Sequence, residues 1–205
     1  IWRNDAAREK IKTIALQVEM LKPKFVIPFA SFVYFSNEDN FYLNDAVNRP
    51  DHVKKYLKEH ASKLIIMSPN DILGGMNQSL NEDKALEFWQ KKYDKIKFTK
   101  LNKFSKIDLK SLQFSFNEYC ERIKKRNNIF LIKIIRFLSP ISAFKPVVVE
   151  ITDLGHNVKF DYVNKIFLKT YEPAMISMKS ESLSFIFKNS FGFDTLTVNA
   201  CFEEI

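Results

Sequence analysis

The chain has few of the residues that most chemistry relies on: two cysteines, three histidines and four glycines among 205 positions. Cys120 and Cys201 lie far apart and do not amount to a disulfide framework, so a reducing compartment and a cytoplasmic location are expected. Neither has a histidine neighbour or a CxxC partner, which removes the usual pattern of a thiol nucleophile. His52, His60 and His156 have no second histidine or cysteine at ligand spacing, and each reads as a surface histidine. Gly74-Gly75 lacks the spacing of a phosphate-cradling loop. No apolar run approaches the ~18 residues of a membrane helix, and the opening residues lack the basic, apolar and small regions of a signal peptide. Ile1-Trp2-Arg3-Asn4-Asp5 has no Met and runs almost at once into a helical pattern, which reads as an interior segment of a longer polypeptide.

What is present is ample for a core: 46% hydrophobic residues with 20 Phe, enough for one large domain or two small ones. The net charge of +8 is regional, because sixteen Lys and Arg face seven Asp and Glu between Glu82 and Lys145. The cations fall mostly singly, without Arg-rich or Gly-rich recognition elements. A solvated basic face therefore ranks ahead of nucleic-acid binding, which is the last of the partner classes expected.

Asp5 opens an amphipathic helix whose stripe is Ile11, Ile14, Ala15, Val18 and Leu21, closed by Pro23. Phe25 to Phe29 reads as a short buried strand, Pro50 to Ala61 as a helix with Pro at its start, and Lys63 to Ser68 as a second strand. A turn over Pro69 to Gly75 leads to a helix starting near Asn81 with Ala85, Phe88, Trp89 and Ile96.

From Asp108 the pattern changes. Leu109, Leu112, Phe116, Tyr119 and Ile123 form a long helical stripe ending in Arg122 to Asn128. Ile129 to Leu138 follows as a ten-residue apolar run with two cations. That run fits either a helix capping the following sheet or a basic amphipathic segment lying in a membrane interface. Phe144 to Asp153, Val158 to Tyr162, Ile166 to Thr170 and Ala174 to Lys179 read as strands, with a hairpin turn at Leu154 to Asn157. Ser180 to Phe187 reads as a short helix and Thr195 to Phe202 as a closing strand. The fold class expected is α/β followed by α+β, with one domain over 1–107 and another over 108–205.

The segment between the first strand and the second helix carries the densest polar signal. Ser31, Ser36, Asn37, Glu38, Asp39, Asn40, Asn44 and Asp45 are interleaved with Phe32, Tyr34, Phe35, Phe41 and Tyr42. The mixture suits a polar pocket with an aromatic frame at a strand's carboxyl end. It equally suits a scaffold, since Asx residues close turns by bonding their own backbone and the aromatics can be core.

Lys22-Pro23-Lys24-Phe25-Val26-Ile27-Pro28-Phe29-Ala30-Ser31-Phe32-Val33-Tyr34-Phe35-Ser36, with Glu38, Asn40-Phe41-Tyr42 and Asn44-Asp45, resembles the C-terminal part of metallo-β-lactamase-fold hydrolases. The likeness is to the group containing ascorbate-6-phosphate lactonase and to bacterial relatives of the β-lactamase-like domain of CMP-N-acetylneuraminate hydroxylase. Trp2-Arg3-Asn4-Asp5 and the Ser68-Pro69-Asn70-Asp71 turn continue it, over roughly residues 1 to 97. The resemblance implies a four-layer αββα parent whose H-x-H-x-D-H motif holds zinc that activates water. That motif is not in this sequence, and Pro28-Phe29-Ala30-Ser31 stands where many relatives carry a metal-binding histidine. Asn37-Glu38-Asp39-Asn40 replaces their His-Glu-Glu-Asn.

Ser182 to Phe187 and Phe191 to Ala200 are similar to the end of sterol-carrier-protein-like domains, in which a sheet and its helices enclose an apolar slot. The resemblances imply that Ser31, Asn37, Glu38 and Asn40 line a substrate pocket, with no catalytic or metal-ligating residue in this chain and zinc in the parent. Expected partners are a small-molecule substrate for the parent, an apolar ligand or membrane surface for 108–205, and a second copy of the chain, since such appended domains also dimerise.

Overall fold

A computed structural model of the chain describes residues 2–29, 32–60, 63–74, 81–138 and 144–205. It divides into two units, Ile1–Asn102 and Lys103–Ile205. Among the described residues there are seven α-helices and one five-stranded mixed sheet, so the chain is mixed α and β.

In the first unit, α1 (Trp2–Leu21) buries Ile11, Ala15 and Val18, the three- and four-residue spacing expected of a packed stripe. Leu21 falls off this stripe and is 78% exposed. Lys22, at φ 46, ends the helix in a left-handed turn and donates its N–H to the Val18 carbonyl (2.9 Å). Helix α2 (Pro50–Leu57) starts with Pro at its first turn, where a missing N–H costs no helical bond. Its Val53 and Leu57 join Ile11 and Ala15 in one core, flanked by Ile14, Val26, Phe32 and Leu64. Asn81 caps α3 (Glu82–Asp94) by accepting from the Lys84 N–H (3.0 Å), and α3 buries Ala85 and Tyr93.

The two strands expected over 25–29 and 63–68 reduce to a single parallel bridge, Val26 with Leu64. Val26 donates to the Lys63 carbonyl and Ile65 to the Val26 carbonyl, each at 2.9 Å. Ile65 and Ile66 are buried, as the apolar run requires. Burial, however, is what an apolar run reports, and a ladder needs partner N–H and C=O groups as well. Pro23 and Pro28 supply no N–H on either side of the bridge.

In the second unit, Asp108 caps α4 (Leu109–Arg126), accepting from the N–H groups of Lys110 (2.9 Å) and Ser111 (3.0 Å). Asn127 and Asn128 break the helix. Asn127 folds back to the Ile123 carbonyl, and Asn128 accepts from the Leu131 N–H to start α5 (Ile129–Leu138). Strands β1 (Val147–Ile151), β2 (His156–Asp161), β3 (Ile166–Thr170), β4 (Ile176–Met178) and β5 (Glu203–Glu204) form a sheet in the order β3-β2-β1-β4-β5. All pairs are antiparallel except β1 with β4. Register sets Val147 against Phe160 and Val149 against Val158, which puts these side chains on one face.

That face is sealed by α4 and by α6 (Ser180–Lys188): Leu112, Phe116 and Cys120 from one, Leu183 and Phe187 from the other. Phe116 and Phe187 meet edge to face at 5.3 Å, and Phe160 and Phe167 complete the cluster. Each such ring, fully buried, contributes about 1.5–3 kcal/mol. The rings occupy the space between sheet and helices where the sequence led us to expect an apolar slot.

The closing strand expected over 195–202 is instead helix α7 (Gly192–Asn199), and only Glu203–Glu204 pairs. The β-branched Thr195, Thr197 and Val198 favour a strand locally. The helix wins because it seats Leu196 in the core and brings Gly192 against α6. A side chain at 192 would place its Cβ 2.5 Å from the Ile186 Cα and 2.9 Å from the Phe185 carbonyl oxygen.

Gly192→Ala is therefore expected to destabilise the second unit by about 1–3 kcal/mol, read as a lower denaturation midpoint. A second expectation concerns Asp161, which is 2% exposed and accepts from Arg136 Nη1 (2.8 Å) and Asn164 Nδ2 (2.8 Å). Burial pushes its carboxyl up, but these bonds and the Arg136 charge outweigh burial and hold it below its ordinary value. A depressed folded-state value means that the stabilisation is complete above the ordinary carboxylate range and is lost as pH falls through the folded value. Unfolding measured across acid pH should show that limb in the native chain and a flatter one in Asp161→Asn.

Candidate functional site

The polar-aromatic segment of the first unit takes its shape from two asparagines. Asn44 lies in a 3-10 helix, Phe41–Ala46, and reaches back across nine residues. Its Oδ1 accepts the Phe35 N–H (2.8 Å), while Nδ2 donates to the carbonyls of Phe35 (2.8 Å) and Phe41 (2.8 Å). Asn40, 2% exposed, accepts the Asn37 N–H on its side-chain oxygen (3.1 Å) and closes the turn between them. The backbone of Ser36 and Glu38 is then fixed to Asn102, whose N–H donates to the Ser36 carbonyl (2.8 Å) and whose carbonyl accepts from Glu38 (3.1 Å). Below the turn, Tyr93 donates its hydroxyl to the Val33 carbonyl (3.3 Å), and Phe32 packs on Trp89 at 5.5 Å.

These bonds leave an outward surface of Val33, Tyr34, Glu38, Asp39 and Tyr42. At its edge Arg3 donates to Asp45 through Nε (3.2 Å) and Nη2 (2.5 Å) and lies over the Tyr42 ring at 5.0 Å. The hydrogen bond from Arg3 holds the Asp45 carboxyl below its ordinary value. Asp71, in the Ser68 to Asp71 turn, is lowered in the same way by the Ser68 N–H and hydroxyl.

Of the four residues expected to line a pocket, Asn37, Glu38 and Asn40 are brought together in this turn. Glu38 is exposed, Asn37 is half-buried, and the Asn40 side chain faces inward as the turn's brace. Ser31 lies outside the described residues.

The sequence did not single out a second feature of this unit, a cleft of ≈ 570 Å³ between α1, residues 45–48 and α2. Its charged and ring-bearing lining includes Arg8, Asp45, His52, Lys55, Glu59 and His60. Four of these sit on or just after α2, where His52, Lys55 and Glu59 recur at helical spacing, which is the one signal that would have revealed it. His60 shares a hydrogen bond with Glu19 (2.7 Å) and stacks on Tyr56.

Among the described residues, no group of three or more His, Cys, Asp and Glu side chains is placed to hold a metal ion. In the second unit burial pushes the Cys120 thiol up to about 11, which makes it an inert core group. Comparison with protein-family models, with curated proteins and with solved structures found no match to this chain.

Asn44→Ala removes one acceptor and two donors at once and is expected to cost the first unit about 1–3 kcal/mol. Hydrogen exchange should localise the effect to the Phe35 amide and the turn after it. Asn44→Asp, which keeps the acceptor, should protect the Phe35 amide better than Asn44→Ala does.

Proposed function

We propose that this chain is the C-terminal portion of a metal-dependent hydrolase of the metallo-β-lactamase superfamily. In this reading residues 1–107 supply one wall of the substrate pocket and 108–205 an accessory domain. What carries the reading is the preorganised turn over residues 35–46, which closes the stretch that carries most of the sequence resemblance. The turn is held by the side chains of Asn40 and Asn44 and by Asn102, and it presents Glu38 and Asp39 beside Tyr34 and Tyr42. A wall whose backbone is set before substrate arrives loses little entropy on binding.

The division of labour follows from the residues. Glu38 and Asn37 contact substrate at the rim, Asn40 sets the angle of the turn, and the tyrosines frame it. Zinc, held by an H-x-H-x-D-H motif outside this sequence, would polarise the reacting group and activate water. The part played by these 205 residues is to bind, orient and exclude solvent.

Two measurements test this. The isolated chain, supplied with zinc and with lactone and phosphate-ester substrates, is expected to show no turnover; tightly bound stoichiometric zinc with turnover would place the reactive site here and end the proposal. In the polypeptide that carries the metal motif, Glu38→Gln is expected to lower kcat/KM by about tenfold with zinc content unchanged, because a hydrogen bond to a charged group is worth about 1.5–3 kcal/mol. Unchanged kcat/KM would remove Glu38 from the pocket.

A further inference from the structure

Helix α5 is amphipathic in the reverse of the usual sense. None of its ten residues is buried. Its partly covered side chains are Ile129, Ile132 and Arg136, and at about 100° per residue these share one side. The opposite side, which in a surface helix carries charge, presents Phe130 (73% exposed), Phe137 (88%), Leu138 (70%), Leu131 (53%) and Ile134 (38%). The arginine of this helix is turned inward, onto Asp161. Five large apolar side chains on one outward face form a patch of the kind that marks an interaction surface.

Charge says what covers it. Between Glu121 and Glu150 there is no acidic residue, while Arg122, Lys124, Lys125, Arg126, Lys133, Arg136 and Lys145 are all cationic. Arg122 donates to the Phe187 carbonyl and Arg136 to Asp161. Lys124, Lys125 and Arg126, in the last turn of α4 just before α5, are exposed, as is Lys133 within it. A second copy apposed through α5 would bring two such basic sets together with no acid in the stretch to answer them. A nucleic acid would answer the lysines but not the aliphatic face. An anionic bilayer answers both, with phosphate and carboxylate headgroups at the cations and acyl chains at the apolar side chains. A ten-residue helix is about 15 Å long, half the hydrocarbon thickness, so it can lie in the interface and cannot span it.

We propose that α5 seats the second unit on an anionic lipid surface, with Phe130, Phe137 and Leu138 entering the headgroup boundary and the Lys124–Arg126 turn supplying the electrostatic half of the contact. The reading is independent of the hydrolase proposal.

The test is co-sedimentation of the full chain with vesicles of phosphatidylcholine alone and of phosphatidylcholine mixed with phosphatidylserine, at low and high salt. Binding is expected to the mixed vesicles and not to the neutral ones, and to weaken with salt. Lys124→Glu with Lys125→Glu, and separately Phe130→Ser with Phe137→Ser, should each lower partitioning by at least about tenfold. All four positions are exposed, so thermal melts should be unchanged. If either pair disturbs folding, Phe137→Trp serves instead: its emission should shift to the blue on mixed vesicles. Equal binding to neutral vesicles, full binding by the Phe130→Ser/Phe137→Ser chain, or an emission that stays put would each overturn the proposal. So would a dimer in solution that the Phe130→Ser/Phe137→Ser change dissolves without any vesicle binding, which would assign the face to a second copy.

Discussion

The packing of Phe187 into Phe116, Phe160 and Phe167 is the contact on which the second unit depends. It joins α4, α6, β2 and β3 in one place, and the remaining core residues of the sheet face gather round it. Because α4 and α6 close that face, a third apolar helix finds no room there. Strand alternation turns Asp161 away from Phe160, and it is Asp161 that takes Arg136. The side of the sheet with Asp161 carries Lys159 and Glu150 together with Val148, Ile166 and Leu168.

The first unit is organised differently. Its apolar contacts are modest, and the segment of greatest functional interest is shaped by side-chain amides bonded to the backbone. Asn40 and Asn44 each replace part of the work a strand ladder would do. The two readings of this segment, pocket or scaffold, turn out to describe different atoms of the same turn. The asparagines bind it together and the outward side chains give it a surface.

Much of this was legible in the residues. The helical stripes of α1 and α4, the helix start near Asn81, Pro50 at a helix start and the alternation in β2 all act within a few positions of themselves, and that is the range over which a pattern is informative. The errors have a common cause. Ile65 and Ile66 are apolar because they are packed, and Thr195, Thr197 and Val198 are β-branched although they are helical. In both cases a partner distant in sequence decided the outcome. The cleft beside α2 was invisible for the same reason, since part of its wall comes from α1 and the rest from residues 45 to 60.

What the sequence determined by itself is the set of local commitments: where helices begin and stop, which faces are apolar, the acid-free basic stretch from Arg122 to Val149, and an asparagine-rich turn amid aromatics. Only the tertiary structure decided which of those apolar faces would be used. Leu112 and Phe116 of α4 went into the core, whereas Phe130 and Phe137 of α5 did not, though hydrophobicity ranks them alike. The area of a sheet face is finite, and the helices that filled it first in packing terms left the other one to the solvent side.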